Sequence, residues 1–148
     1  MKKIFIYYSF TGNGDLVADE MRVKGYDIRK VVEKKKMPKS FFLSVMEGGF
    51  RAGIHAKGKL VDYDNDVSEY DEVVIGGPIW NARLCPAINT VLAKTDLKGK
   101  KLTFVLYSGS GTGNKALKKL NKLFEDKDII FLQEPKKYRE QLDKLSIL

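Results

Sequence analysis

A doubly wound parallel α/β sheet, five strands in the order 2-1-3-4-5 with helices on both faces, is the fold this sequence predicts. Three observations carry the prediction. Near-continuous apolar runs such as Ile4–Tyr8 and Leu102–Tyr107 suit strands buried on both faces. Strand patterns alternate with helix patterns along the whole chain, the order that builds right-handed parallel crossovers. The turns after the first, third and fourth strands are unusually rich in glycine and hydroxyl residues. No linker, internal repeat or low-complexity stretch interrupts the pattern, so residues 1–148 read as one domain.

Ile4–Tyr8 forms the first strand, and a helix follows from Asp15 to Val23, with Asp15 in its first turn and Val17 and Met21 on one face. Tyr26 to Val32 alternates weakly as the second strand. Pro38 opens a helix through Phe41, Phe42, Val45 and Met46 that Gly48-Gly49 ends, and residues Arg51 to Ser68 form a long irregular connection. Val73-Val74-Ile75 is the third strand, stopped by Gly76-Gly77-Pro78. A helix from Pro86 to Lys94 buries Ile88, Val91 and Leu92, and Leu102 to Tyr107 is the fourth strand. Lys115 to Phe124 is the next helix, Ile129–Leu132 the fifth strand, and Pro135 to Leu145 the last helix, with Pro135 in its first turn.

The chain carries 27 Lys and Arg against 19 Asp and Glu, a formal charge of +8. Such an excess attracts acidic partners, but the lysines are scattered at helical spacing (Lys115, Lys118, Lys119, Lys122), as on a solvated helix face. Only Lys34-Lys35-Lys36 forms a run, and no basic stretch has interleaved aromatics, so nucleic-acid binding is not expected as the main role. No apolar run reaches membrane-spanning length. The N-terminal Met1-Lys2-Lys3-Ile4-Phe5-Ile6 lacks a small-residue cleavage site and suits a buried strand, so a cytoplasmic protein is expected. Cys85 and His55 are the only residues of their types, which excludes internal disulfides and histidine- or cysteine-cluster metal sites. Cys85 reads as a small buried residue, His55 as part of a solvated loop, and the acids between Asp62 and Glu72 as a solvated stretch without the glycine pattern of a cation loop.

In an open α/β sheet, ligands bind beyond the carboxyl ends of the strands at the topological switch point, where the turns after strands one, three and four converge. Those turns read Ser9-Phe10-Thr11-Gly12-Asn13-Gly14, then Gly76-Gly77-Pro78-Ile79-Trp80-Asn81-Ala82, then Ser108-Gly109-Ser110-Gly111-Thr112-Gly113. The first combines small residues and hydroxyls at a helix N-terminus, where free N–H groups and the helix dipole favour a phosphate; its plain alternative is a strand–turn–helix connection with Asn13 as N-cap. The second sets the chain's only tryptophan after a rigid turn, in a loop, where ring contact is favoured over a core position. The third exposes backbone N–H groups to a flat polar edge. A phosphate joined to a flat aromatic heterocycle matches all three, and flavin mononucleotide (FMN) is such a molecule.

At these residues the chain resembles the flavodoxin family. The Ser9-x-Thr11-Gly12-Asn13 turn after Tyr7-Tyr8, with Ala18 on the following helix, is similar to the family's phosphate loop. Gly76-Gly77-Pro78-Ile79-Trp80 and Ser108-Gly109-Ser110-Gly111 are similar to its two ring-side loops. The resemblance implies a noncovalent FMN site at Ser9, Phe10, Thr11, Gly12, Asn13, Gly14, Pro78, Ile79, Trp80, Asn81, Ser108, Gly109, Ser110 and Gly111. It also implies electron transfer to redox partner proteins, acidic ones given the basic surface, with no side chain acting as acid or base. A peptide in Trp80-Asn81-Ala82 is the one whose carbonyl would turn toward protonated flavin N5.

Three departures from the family carry expectations. Gly14 stands where many members have Thr, a lost hydroxyl donor to the phosphate of about 1.5–3 kcal/mol. The second ring loop lacks the tyrosine that often stacks on the flavin, which leaves one ring face open or covered by Phe50 or His55. The basic charge should favour the anionic reduced flavin and raise its potential. Two alternatives stay open: an FMN-dependent NAD(P)H:quinone or nitro reductase, and a non-redox binder of another phosphorylated ligand.

Overall fold

The structure, a computed structural model, describes residues 1–34 and 59–148. Its strands are β1 (Lys3–Tyr7), β2 (Asp27–Lys30), β3 (Glu72–Trp80), β4 (Arg83–Leu84), β5 (Lys101–Ser108) and β6 (Asp128–Gln133). Its helices are α1 (Asn13–Val23), α2 (Pro86–Lys94), α3 (Asn114–Leu123) and a 3-10 helix at Arg139–Ile147. The five long strands are parallel in the order β2-β1-β3-β5-β6. The two-residue β4 is extra, an antiparallel hairpin partner of β3. Leaving that hairpin aside, the order is the one the sequence predicts. The expected helix from Pro38, the ring-covering Phe50 and His55, and Lys35-Lys36 lie outside the described residues.

Side chains alternate across the sheet because successive residues of a strand point to opposite faces. Ile4 and Ile6 of β1 join Val73, Ile75, Phe104 and Leu106 in a core closed by Ile88 and Val91 of α2 and Ala116 and Leu120 of α3. Phe5 and Tyr7 join Val74, Val105, Tyr107 and Leu132 on the other face, closed by Val17, Ala18 and Met21 of α1 and Leu145 of the 3-10 helix. Helical elements therefore cover both faces.

Two elements depart from expectation. The third strand does not stop at Ile75: β3 runs on through Gly76-Gly77-Pro78 to Trp80. The two glycines sit in the strand because their neighbours leave no room for a side chain. A Cβ on Gly76 would lie 2.5 Å from the Phe5 ring, and one on Gly77 would lie 2.4 Å from Ile88. Proline is tolerated there because β1 has ended. Tyr8 N donates to Gly76 O at 3.0 Å as the last bond on that side, and Pro78, two residues on, faces the same vacated side. The final segment is a 3-10 helix over Arg139–Ile147 rather than an α-helix from Pro135. Leu142, Leu145 and Leu148, spaced by three, all pack on the same core cluster, which matches three residues per turn.

Candidate functional site

The turn after β1 is shaped by one serine and one left-handed glycine. Gly12 has φ 96° and caps α1 in place of Asn13, which is the first helical residue. The Ser9 hydroxyl oxygen accepts from Gly12 N at 3.2 Å and Gly14 N at 3.1 Å, bridging turn and helix. With both N–H groups directed at its lone pairs, that hydroxyl keeps its own proton to donate. Asn13 Nδ2 donates to Thr11 Oγ1 at 3.3 Å, so the exposed Thr11 hydroxyl also has its proton to offer. Phe10 is half-buried and meets Trp80 edge-on, with ring centroids 6.0 Å apart.

Gly14 is explained by packing. A Cβ there would lie 2.3 Å from the Tyr107 hydroxyl and 2.8 Å from Ser9 Cβ. Tyr107, from β5, donates to the Tyr8 carbonyl and so ties the end of β5 to the turn after β1. Burial pushes the Tyr107 phenol well above its ordinary range, so it stays a donor.

Beyond Pro78, which is half-buried, Ile79 and Trp80 are core residues, with Trp80 1% exposed. The tryptophan therefore belongs to a strand end and not to a loop; its ring stands edge-on to Tyr8 and Phe10 and supports the turn from beneath. The chain then reverses through Asn81 and Ala82, with φ 50° and 64°. Positive φ at both central residues makes this a two-residue type I′ hairpin, the form whose twist matches the strands it joins. Asparagine adopts that region readily and alanine does not, so Ala82 holds backbone strain. Ala82 O accepts from Ala116 N at 2.8 Å, which plugs the first turn of α3 with the hairpin carbonyl.

The third loop is braced internally. Ser108 Oγ donates to Thr112 O at 2.9 Å and accepts from Thr112 N at 3.1 Å. Gly109 and Ser110 are exposed, while Gly111 (φ 73°) packs against Gln133. Gly113 lies against Ile79 and Phe131, so loops two and three touch.

A fourth segment, which the sequence reading missed, joins these loops. After β6, Glu134 takes φ 30° and its N–H donates to Ser108 O at 3.0 Å. Gln133 Nε2 donates to Gly109 O at 3.2 Å. Lys136 N donates to Asn13 Oδ1 at 3.0 Å, and its ammonium donates to Thr11 O at 3.3 Å. The signal available was the Lys136-Lys137 pair just past a strand whose carboxyl end faces the same edge.

The electrostatics favour an anion at the first turn. The one carboxylate in the first turn of α1, Asp15, is engaged by Lys30 and by the Tyr7 hydroxyl, each at 2.8 Å from Oδ1. Burial acts to raise its pKa, but the bonds from Lys30 and Tyr7 and the charge of Lys30 outweigh it and hold it below the ordinary value. Cys85, at the N-cap of α2, is wholly buried, and burial pushes its thiol up to about 12, the wrong direction for a nucleophile.

The chain matches the family model described as Flavodoxin over residues 2–140. Among solved structures it is similar to a candidate flavoprotein from Bacteroides eggerthii DSM 20697, with TM-score 0.76 and 23% identity over 99% of each chain. A second candidate flavoprotein, from Bacteroides uniformis ATCC 8492, gives TM-score 0.69 and 23% identity over 86% of this chain and 88% of that one. A flavoprotein from Lactobacillus acidophilus NCFM, solved in complex with FMN, gives 0.64 and 16% over 95% and 97%. No match is found among the curated proteins. The family match takes in the Ser9–Gly14 turn, both ring-side loops and the Lys136 turn, on a sheet with the expected order: this chain belongs to the flavodoxin family.

Proposed function

We propose that the chain binds FMN noncovalently at the carboxyl edge of the sheet and carries electrons between redox proteins in the cytoplasm. The observation that carries this reading is the Ser9–Gly14 turn. Gly12 in the left-handed region, Ser9 bridging two backbone N–H groups and the start of α1 together form a cradle matched to a terminal phosphate. The residues present fit the nucleotide at that end, since hydroxyl protons of Ser9 and Thr11 and the α1 dipole all favour the anion. Gly14 does not weaken the cradle by omission: Tyr107 fills the place of its side chain.

Bound there, the flavin would supply the redox chemistry, and the protein supplies orientation and electrostatics. The Asn81-Ala82 turn and the Ser108–Gly111 loop would hold the ring. Because Ala82 O is committed to Ala116 N and Trp80 pairs with Arg83 across the hairpin, the Asn81 carbonyl is the one that can turn toward a protonated ring nitrogen. The exposed Lys115, Lys118 and Lys122 of α3, close along the chain to that loop, suit an acidic partner. A cytoplasmic setting accords with the free, buried Cys85. Among the described residues no helix is long and apolar enough to cross a membrane.

The test is an absorption titration of purified protein with FMN, followed by anaerobic reduction counted in electrons per step. A bound flavin reduced in resolved one-electron steps supports the carrier. Two electrons taken in a single step, with steady NAD(P)H oxidation in the absence of a partner, replaces it with the reductase. Protein that takes up no FMN overturns the flavin reading.

A further inference from the structure

We infer that Lys136 is the residue that makes this cradle selective for a terminal phosphate dianion, acting both as its counter-charge and as the latch of the turn that binds it. The inference rests on the flavin-nucleotide reading and assigns to it a residue from outside the three glycine loops.

Lys136 is held in place at three points. Its N–H is bonded to Asn13 Oδ1, its ammonium to the Thr11 carbonyl, and its side chain lies over Gly12, where an added Cβ would stand 3.4 Å from Nζ. The left-handed Glu134 and the bonds from Lys137 N and Tyr138 N to Glu134 O at 2.8 and 2.9 Å form the turn that delivers it. A surface lysine normally loses much rotamer entropy when it pairs with an anion, and one already anchored has lost part of it.

The donors converge. An ammonium has three hydrogens, and Thr11 O takes one of them. The Asn13 amide has its oxygen on Lys136 N and its nitrogen on Thr11 Oγ1, which leaves the Thr11 hydroxyl its proton to donate. Between these groups lies a cleft of about 330 Å³ lined by Thr11, Asn13, Glu134, Lys136 and Lys137. The lining carries one carboxylate, Glu134, beside Lys136 and a Lys137 whose ammonium lies over the Tyr138 ring, while Asp15 at the helix start is paired with Lys30. A phosphate seated on the Gly12 turn would thus pair its negative charge with the Lys136 ammonium, whereas a neutral hydroxymethyl end brings no charge to pair.

The experiment titrates wild type, Lys136→Met and Lys136→Arg with FMN and with riboflavin, at low and high salt. Expected is a loss of FMN affinity of about 10- to 100-fold in Lys136→Met, the range for a bond to a charged group. Riboflavin affinity should be unchanged, Lys136→Arg should recover most of the loss, and the salt dependence of FMN binding should flatten in Lys136→Met. An unchanged ratio of FMN to riboflavin affinity in Lys136→Met overturns the inference. If wild type binds neither flavin, the proposed function fails, and inorganic phosphate then decides the lysine separately. A rise in melting temperature with phosphate in wild type but not in Lys136→Met upholds the anion role, and equal shifts in both refute it.

Discussion

Two loops at the same edge of the sheet have nearly the same composition and opposite fates. Ser9-Phe10-Thr11-Gly12 and Ser108-Gly109-Ser110-Gly111-Thr112-Gly113 each leave a strand, turn through a left-handed glycine and enter a helix. In the first, the serine hydroxyl gathers N–H groups of its own turn and helix, and a lysine is pinned beside them. In the second, the serine closes on Thr112 within the loop, and the helix start is filled by the Ala82 carbonyl. An anion arriving at α1 meets the Ser9 and Thr11 hydroxyls and the Lys136 ammonium; one arriving at α3 meets a carbonyl oxygen. Glycine content and a helix N-terminus do not suffice for a phosphate site: both turns have N–H groups already bonded, and the α1 turn differs in the hydroxyl protons of Ser9 and Thr11 and the Lys136 ammonium beside it.

The comparison can be broken most sharply at Gly14. Gly14→Ala forces a methyl group to within 2.3 Å of the Tyr107 hydroxyl, so a loss of about 1–3 kcal/mol in denaturant unfolding is expected, as for overpacked cores. Tyr107→Phe in the same chain should return part of that loss, and additive effects in this double-mutant cycle would refute the steric coupling. Next comes the serine pair. Ser9→Ala should cost about 1 kcal/mol of stability and weaken FMN binding, whereas Ser108→Ala should cost a similar amount and leave phosphate-dependent selectivity between FMN and riboflavin intact. Equal losses of selectivity in both variants would erase the distinction between the loops.

A smaller effect sits at the hairpin. Ala82→Gly removes the positive-φ penalty and creates an Asn-Gly pair, the sequence this turn prefers, at the cost of a looser unfolded chain. A net gain of roughly 0.5 kcal/mol is expected in urea unfolding. The last is a pH effect, absent at neutral pH. Burial raises the Cys85 thiol from 9.0 to about 12, so the folded state keeps a proton that the unfolded chain releases. Stability from this group is therefore complete below pH 9.0 and falls as pH rises toward 12, and the raised Tyr107 phenol adds in the same direction above 10.0. Urea midpoints followed into the alkaline range should drop, with a shallower drop in Cys85→Ala.

The sheet was legible in the sequence because its evidence is local: Ile4–Tyr8 and Leu102–Tyr107 are apolar on both faces, and the glycine turns mark strand ends. The extension of β3 was not. Gly76-Gly77-Pro78 reads as a stop, and only the approach of Phe5 and Ile88, distant in sequence, shows that the glycines make room within a strand. Trp80 was misplaced in a loop for the same reason. The Leu142, Leu145 and Leu148 spacing did hold the 3-10 signal, but Pro135 suggests an α-helix start and hides it. The Ser9–Gly14 turn could be read as a candidate cradle from Ser9, Thr11 and Gly12, whereas the approach of Lys136 to it could not, since nothing near Lys136 in sequence reveals a bond to Thr11.

The bond between Lys136 and Thr11 spans 125 positions of chain, and the one to Asn13 spans 123. At a synthesis rate of ~5–20 residues per second, roughly 6–25 s separate the two halves of the cradle on the ribosome. The first half emerges early, with its helix and its hydroxyls, but its latch arrives only after β6 has been made and docked at the sheet's outer edge. With Lys136 as the inferred latch, cofactor loading would follow translation of the sheet, and a nascent chain stalled before β6 would hold the Ser9–Gly14 turn without the bonds from Lys136.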